Sequence, residues 1–479
     1  ADLRMAYLDL VNDVDPDFTI KNQLFVDNID QFKNSEQPGG GKQDVLVLED
    51  KLTVTKRLKG LPDWLAVNTL GSVNYRYTKA TGYRYGGDFS SHRMDLMAQM
   101  DPMTPNTSFA HPFDNPNLNA DGAAWTSDYK TTFSEAGVGM LLDIDLFEKA
   151  NLMLGGRYDR SKAKNTEFAG TFNATTGRSN NPGAFRTSDV SAEGSDSGFS
   201  WSTSLSYNLT DNIRPYATFA ESAVGLDSSN NKLDNDVIDA GHIGSAELME
   251  FGVKGGLFDD RLFYSAAYYE QTRTNVTEND PGDIIGAEVS STLTKGFEAE
   301  LKYFIWQNLY VSVYGLTQKT RFDPNRGGNI MVDARTLGFQ DILDAQGNVV
   351  YPAEAFLYGG RAFLIMPANL SEYEYKQGNP ETQFGFNANY TMENGFGVTL
   401  SGNAFSSVHS GRLQLVKLPA VETLNLGLFY KGDIWSLKMD IKNLFDKEYF
   451  RARTGDTLGD MLVQAMPGRT FSTTVSFAF

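Results

Sequence analysis

Apolar and polar residues alternate one by one along most of this chain, and the last segment shows the pattern most plainly. Phe471, Thr473, Val475, Phe477 and Phe479 fall on one face of an extended strand, with Ser472, Thr474, Ser476 and Ala478 on the other. The segment before it repeats the arrangement. Trp435, Leu437, Met439 and Ile441 point one way, and Ser436, Lys438, Asp440 and Lys442 the other. A period of two predicts β-strands. Charges on the packed side of a sheet are costly. Charges facing a wet lumen, with apolar residues facing lipid, are what a membrane barrel requires.

Short turns separate the strands in pairs. They are expected near Asn12–Asp17, Arg57–Asp63, Phe147–Asn151, Asn208–Asn212, Phe258–Arg261, Ile305–Asn308, Met392–Gly395 and Lys431–Asp433, each centred on turn-forming residues. The other connections are long and polar, as at residues 80–127, 165–196, 224–243, 322–378 and 448–467. Gly39-Gly40-Gly41 is placed at a loop tip. In an outer-membrane barrel the short turns lie in the periplasm and the long loops outside. The expected fold is therefore all-β: a transmembrane antiparallel β-barrel filling residues 1–479 as one unit. About 17 strands are visible, each long enough for the ~9–11 residues a tilted crossing needs. Residues 3–11 and the strand ending at Phe479 both descend toward the short-turn side. An odd count does not close a bacterial barrel, which has an even number of strands. The parity suits a barrel of about 22 strands from which roughly the first five, and a plug before them, are missing.

Composition narrows the function classes. The chain has no Cys, which removes disulfide scaffolds, thiolate metal sites and Cys nucleophiles. Net charge is −18, so nucleic acid is not an expected partner. No apolar run approaches the ~18 residues of a membrane helix, and no secretory leader pattern opens the sequence. Among the four histidines, His92, His111, His242 and His409, no HExxH arises, and neither a Walker loop nor a GxSxG elbow occurs. No enzyme activity, cofactor or metal site is expected.

Two expected extracellular loops concentrate candidate ligand contacts. The first carries Tyr83, Tyr85, Phe89, His92, Met94, Met97, Met100, Met103, Phe109, His111, Phe113 and Trp125. Methionine at three-residue spacing fits one face of a short lid helix, and equally a loop packed on itself with Met as filler. Its aromatics suit stacking on an organic ligand, and Met with His also suits copper. The second holds Tyr351, Phe356, Tyr358, Arg361, Phe363 and Met366, with Tyr373 and Tyr375 following; Arg361 is a fitting partner for an anionic chelate. The residues singled out as ligand contacts are Tyr83, Tyr85, His92, Met94, His111, Trp125, Tyr358 and Arg361.

Several motifs carry a family resemblance. Asn443-Leu444-Phe445-Asp446-Lys447-Glu448-Tyr449 resembles the NLFDKxY sequence that closes the penultimate strand of TonB-dependent receptors. Pro467-Gly468-Arg469-Thr470-Phe471 resembles the PGR that opens their last strand. Glu250-Phe251-Gly252-Val253-Lys254, with Leu257-Phe258-Asp259-Asp260-Arg261-Leu262, Ala267-Tyr268-Tyr269 and Thr272-Arg273-Thr274-Asn275-Val276, resembles a hairpin of siderophore receptors. Lys295-Gly296-Phe297-Glu298-Ala299-Glu300 and Gly155-Gly156-Arg157-Tyr158-Asp159 are similar to two more of their strands. These motifs read as structural: Asn443 and Asp446 stabilising the rim, Arg157 and Asp159 forming a lumen ion pair or meeting the plug.

The resemblance implies outer-membrane uptake of a scarce nutrient, above all a ferric siderophore, with vitamin B12, haem, carbohydrate or copper as other substrates. It also implies outer-membrane lipids as surroundings, a Gram-negative cell, and a TonB–ExbB–ExbD complex acting through a plug and TonB box that this chain does not contain. A passive porin predicts a complete even barrel of about 16–18 strands. A β-sandwich or adhesin predicts apolar faces packed on each other, and a receptor that binds without transporting would share every feature read here.

Overall fold

In a computed structural model, the structure describes residues 1–33, 40–85, 125–169, 188–226, 232–277, 288–322, 328–333, 338–351, 353, 361–366, 376, 378–410, 416–452 and 463–477. Seventeen strands form one antiparallel sheet. In chain order they are β1 (Asp2–Asp15), β2 (Phe18–Lys33), β3 (Gly40–Arg57), β4 (Leu65–Tyr85), β5 (Trp125–Leu146), β6 (Ala150–Glu167), β7 (Val190–Tyr207) and β8 (Arg214–Gly225). After the short helix α1 (Asn235–Ala240) come β9 (Ile243–Leu257), β10 (Leu262–Thr277), β11 (Glu288–Trp306) and β12 (Leu309–Phe322). The last five are β13 (Thr382–Thr391), β14 (Phe396–Phe405), β15 (Val421–Lys431), β16 (Trp435–Lys442) and β17 (Thr470–Phe477).

Each strand pairs with the one before it and the one after it, so the sheet is an uninterrupted meander. β1 and β17 are its edges, and among the described residues neither pairs with a further strand. Both run in the same direction, as the parity of the alternation requires.

All eight expected short turns are found at one end of the sheet, between β1 and β2 and at every second connection after that. Two of them adopt left-handed backbone at residues that rarely do so: Phe147 (φ 55°) and Glu148 (φ 58°) in one, and Phe258, Asp259 and Asp260 (φ 57°, 55° and 60°) in the other. Left-handed pairs match the twist of the flanking strands in a tight hairpin. The first is held by Phe147 stacking on Trp64 of the neighbouring turn, with ring centroids 5.1 Å apart.

The strands are longer than the alternation alone suggests. β4 continues to Tyr85 and β5 begins at Trp125, giving 21 and 22 residues, about twice what crossing a bilayer takes. The excess, with β6 reaching Glu167 and β7 starting at Val190, carries the wall beyond the apolar band into segments expected to be loop. Polar residues on both faces hide these extensions from a periodicity reading. Gly40 and Gly41 likewise lie in β3, with Gly41 opposite Lys33.

Register fixes the two faces of the wall. Val138, Met140, Leu142 and Ile144 of β5 share a face with Val73 and Tyr75 of β4, and with Phe199, Trp201 and Leu205 of β7. Much of this face is exposed, with Val73, Val138 and Met140 each more than half so, as a lipid-facing surface would be. The opposite face carries Asn74, Arg76, Glu135, Arg157, Asp159, Glu250, Glu298 and Asp440. No helix among the described residues is long and apolar enough to cross a membrane.

Four short hairpins lie off the wall on the long-connection side. They pair Gly328–Asp333 with Arg361–Met366, Ile342–Leu343 with Val349–Tyr351, Val408–Ser410 with Val416–Leu418, and Phe450–Ala452 with Val463–Ala465.

Candidate functional site

The polar face of the wall holds three features. The lowest is an ionic cluster on β4–β6. The Arg157 guanidinium donates to both carboxylate oxygens of Asp159 and, through Nη2, to Asn74 Oδ1 at 2.6 Å. Asn74 lies two strands away, and the side chain reaches it because residue 137 on the strand between is Gly. A Cβ there would stand 2.0 Å from the same nitrogen.

Higher up, the connection from β8 to β9 folds inward. Val237 and Ile238 of α1 pack with Leu226 and Leu233 against Ala163 of β6 and Ala192 of β7, with Phe133 of β5 beside them. Small wall residues make room for this: Gly194 faces Ile238, where a Cβ would come within 3.0 Å. Polar bonds complete the docking. Thr131 donates to Asn165 at 2.7 Å, Asn165 donates to Asn235 at 2.9 Å, and the Leu233 N–H reaches Thr131 at 3.4 Å. Lys232 is buried between Glu167, at 3.1 Å, and Asp234, with its ammonium 5.8 Å from the centre of the Tyr129 ring. Burial works to lower the Lys232 pKa, but Asp234 and Glu167 outweigh it and hold the ammonium above its ordinary value. His242 closes the segment. It is 4% exposed, and neither ring nitrogen has a partner among the described residues. Burial lowers its pKa, with Asp196 opposing.

The third feature is a cavity of about 520 Å³ against β9–β12. Glu250 and Leu248 contribute from β9, Tyr269, Gln271 and Arg273 from β10, Thr292, Thr294 and Glu298 from β11, and Gln318 and Thr320 from β12. Lys376 and Asn379 of the following connection close one side. The lining is fixed by its own bonds. The Tyr269 hydroxyl donates to Gln318 Oε1 at 3.1 Å, Asn379 donates to Thr320 at 2.7 Å, and the hydroxyls of Thr294 and Thr320 lie 3.0 Å apart. Tyr216 of β8 donates to Glu250 at 2.7 Å. The Tyr269 ring lies over Gly296, where a Cβ would be 2.6 Å from it. Two cations, two carboxylates and a dense set of hydroxyls and amides can bind a polar, oxygen-rich molecule through several hydrogen bonds at once.

The described residues among those expected from sequence do not line this cavity. Tyr83 is in β4, not in a loop. It is 4% exposed and alternates onto the same face as Val73 and Tyr75, away from the cavity. Tyr85 and Trp125 are brought together as a backbone pair at the top of β4 and β5. Arg361 pairs through its backbone with Asp333 in an outer hairpin. His92, Met94, His111 and Tyr358, together with the proposed lid helix, lie outside the described residues. Among the described residues no group of three or more His, Asp or Glu could hold a metal ion. Sequence reading passed over the cavity residues, although Glu250, Tyr269, Arg273 and Glu298 stand inside the motifs quoted above. Alternation shows that they face inward, but only the strand register brings them to one place.

The rim motif behaves as a structural device. Asn443 is 5% exposed and left-handed (φ 53°). Its side chain donates to Lys447 O and accepts from Lys447 N–H, both at 2.9 Å, while its own N–H donates to Asn425 Oδ1 at 2.9 Å. Asp446 Oδ1 accepts the N–H of Arg469 at 2.6 Å, tying the end of β16 to the start of β17.

Comparison with known proteins agrees with this architecture. The family model described as TonB dependent receptor-like, beta-barrel, matches residues 4–444. No curated protein matches by sequence. Among solved structures, the siderophore receptor PiuA from Acinetobacter baumannii superposes with a TM-score of 0.68 at 15% identity, covering 99% of this chain and 63% of that one. The closed form of the ferric-catecholate import receptor Fiu from E. coli K12 gives 0.68 at 15% identity over 100% and 64%. The unliganded ferric citrate transporter FecA gives 0.66 at 13% identity over 99% and 61%. The chain thus spans less than two thirds of the length of these receptors. At such identities the likeness concerns the fold alone, an antiparallel barrel wall. With β2 to β16 inside the matched range, the chain belongs to the TonB-dependent receptors and supplies β-barrel wall.

Proposed function

We propose that this barrel is the wall of a TonB-dependent transporter in the outer membrane of a Gram-negative cell, and that it imports a ferric siderophore. The observation that carries the reading is the pre-formed polar cavity on β9–β12, where Arg273 and Lys376 face a lining of hydroxyls and amides. A ferric chelate presents several oxygen acceptors and often a net negative charge, which charge-assisted bonds would hold. The siderophore and ferric-citrate titles of the structural neighbours support the same substrate class. A barrel of about 22 strands has a lumen that wall side chains do not fill. The intact protein is therefore proposed to carry a plug that seals it and a TonB box through which a TonB–ExbB–ExbD complex drives release. The outer-loop residues Tyr85, His92, Met94, His111, Trp125, Tyr358 and Arg361 are proposed as first contacts for the arriving ligand, with Tyr83 supporting that rim.

The test is uptake. A strain lacking the gene is compared with one carrying the intact gene, in iron-limited medium, using radioactive iron delivered on a panel of catecholate, hydroxamate and carboxylate chelates. Iron accumulation that needs both this gene and TonB supports the proposal. Uptake of cobalamin, haem, sugar or copper in its place reassigns the substrate, and TonB-independent leakage of small solutes makes the barrel a porin. Copper has one specific claim, since a copper transporter, OprC, is among the neighbours (TM-score 0.61, 16% identity) and residues 92–111 combine Met with His.

A further inference from the structure

The lipid-side face of the wall changes character along β6. From the short-turn end it reads Leu152, Leu154, Gly156, Tyr158, Arg160, Lys162, Lys164. From Ala150 to Arg160 the strand rises about 25 Å, at ~3.3 Å per residue and a tilt of roughly 40°, which is the height of an apolar band. Tyr158 and its cross-strand neighbour Phe199, both exposed, mark the aromatic edge of that band. Register brings two more cations to the same place. Lys79 of β4 and Lys164 of β6 both lie opposite Thr132 of β5, and Lys130 of β5 lies opposite Thr166. Lys79, Lys130, Arg160, Lys162 and Lys164 are all exposed.

A single carboxylate offsets these cations. Glu193 of β7 meets Lys162 at 2.8 Å and Lys164 at 3.5 Å, and among the described residues Lys79, Lys130 and Arg160 have no ion-pair partner. The excess sits in a chain whose net charge is −18. Its sign reverses on both flanks, where Asp30 and Asp44 share this face on β2 and β3, and Glu221 and Glu247 on β8 and β9. Cations that only snorkel to an interface would not gather on three neighbouring strands between acidic flanks. Like charges at such spacing repel one another unless an anion is shared between them. Hydroxyls fill the spaces: Ser134 and Ser195 lie opposite Lys162, and Ser197 opposite Arg160.

We propose that this patch binds a phosphorylated glycolipid of the outer leaflet. Its phosphates are held among the five cations, and its sugar hydroxyls bond the serines and threonines between them. Tyr158 and Phe199 lie against the top of its acyl chains. Lysines supply point charge, and Arg160 a fork that suits phosphate. Free phosphate would gain the charge contacts but nothing from the aromatic edge below. The inference rests on the outer-membrane placement proposed above and not on the transported substrate.

The test uses the intact protein in detergent, stripped of lipid, with bis-phosphorylated lipid A as probe and native mass spectrometry as readout. The wild type is expected to bind the probe, and to bind the same lipid with its phosphates removed far more weakly. Lys79→Gln, Arg160→Gln and Lys162→Gln together are expected to weaken binding about 100-fold, the size expected for three interfacial cations. Lys21→Gln, Lys51→Gln and Lys438→Gln, the same charge change on the lumen face, should leave it unchanged. Heat-modifiable migration checks that both variants are folded. A wild type that binds no probe, or binds the phosphate-free lipid equally well, overturns the proposal, and this comparison needs no variant. So does undiminished binding by the first triple variant, equal binding of phosphatidylglycerol, or displacement of the probe by equimolar inorganic phosphate. TonB-dependent iron uptake that persists beside any of these results leaves the transport reading standing.

Discussion

Arg157 on β6 reaches over β5 to Asn74 on β4, and the two side chains bond at 2.6 Å across a strand that contributes only Gly137 between them. Wall strands are held mainly by their ladders, so a side-chain bond spanning three of them ties next-nearest neighbours together. Gly137→Val fills the gap and expels the guanidinium from this position. The expected cost is about 1.5–3 kcal/mol, the range for hydrogen bonds to a charged group, read as a lower urea midpoint for unfolding in detergent. Asn74→Leu should cost a similar amount, and combining the two should add little. Full additivity would mean that the bond is not what Gly137 protects.

Asn443→Ala removes the paired bonds to Lys447 and forces Ala into left-handed backbone, whereas Asn443→Gly removes only the bonds. The Ala variant should lose about 2–4 kcal/mol, summing roughly two net hydrogen bonds and one unfavourable backbone region, and the Gly variant less. The order of their unfolding midpoints is the check, and equal midpoints would exclude a backbone contribution.

Lys232 lies buried between two carboxylates. Lys232→Met leaves Glu167 and Asp234 without their cation, and breaking a buried pair in this way costs about 3–5 kcal/mol. The cost should appear locally, as release of α1 from the wall. Amide hydrogen exchange at residues 233–242 should rise while β6 and β7 stay protected below the rim. Unchanged exchange in α1 would show that apolar packing alone holds it.

Docking of the same segment should depend on pH through His242. Burial holds this imidazole below its ordinary pKa, so the docked state is the neutral one, while the undocked state takes a proton near pH 6.5. The docked state is therefore fully favoured above about pH 6.5. It weakens as pH falls from there toward the lower docked value, and the loss is complete below it. Asp196 faces His242 and opposes the shift, and Lys232 keeps its charge throughout. Exchange of α1 amides, corrected for intrinsic rates, should rise between pH 7.5 and 5, and His242→Leu should abolish that rise.

The wall was legible from sequence because one rule governs it. Every second residue faces lipid, as in Phe471, Val475 and Phe477, and every short connection is a turn, so strands, turns and inward faces could be read without structure. The site was not legible for the opposite reason. Tyr269 and Gln318 are 49 residues apart and meet only because the registers of β10, β11 and β12 align them. Arg157 and Asn74 are separated by 83 residues. Tyr83 reads as a loop residue in sequence because polar residues occupy both faces above the apolar band, where nothing in the alternation marks the end of a strand. α1 escaped because the six residues of Asn-Asp-Val-Ile-Asp-Ala are too short for a helical period to register.

The unbroken meander also bears on how such a wall changes over time. Each strand bonds only to its predecessor and successor, and each up-running strand is tied to the preceding down-running one by a tight reversal of a few residues. Copying or deleting one such pair leaves the direction and facing of all others intact, whereas gaining or losing a single strand would invert everything after it. The natural unit of growth for this circumference is therefore the two-strand module. The long outer connections can lengthen independently, because closure entropy rises only slowly with loop length.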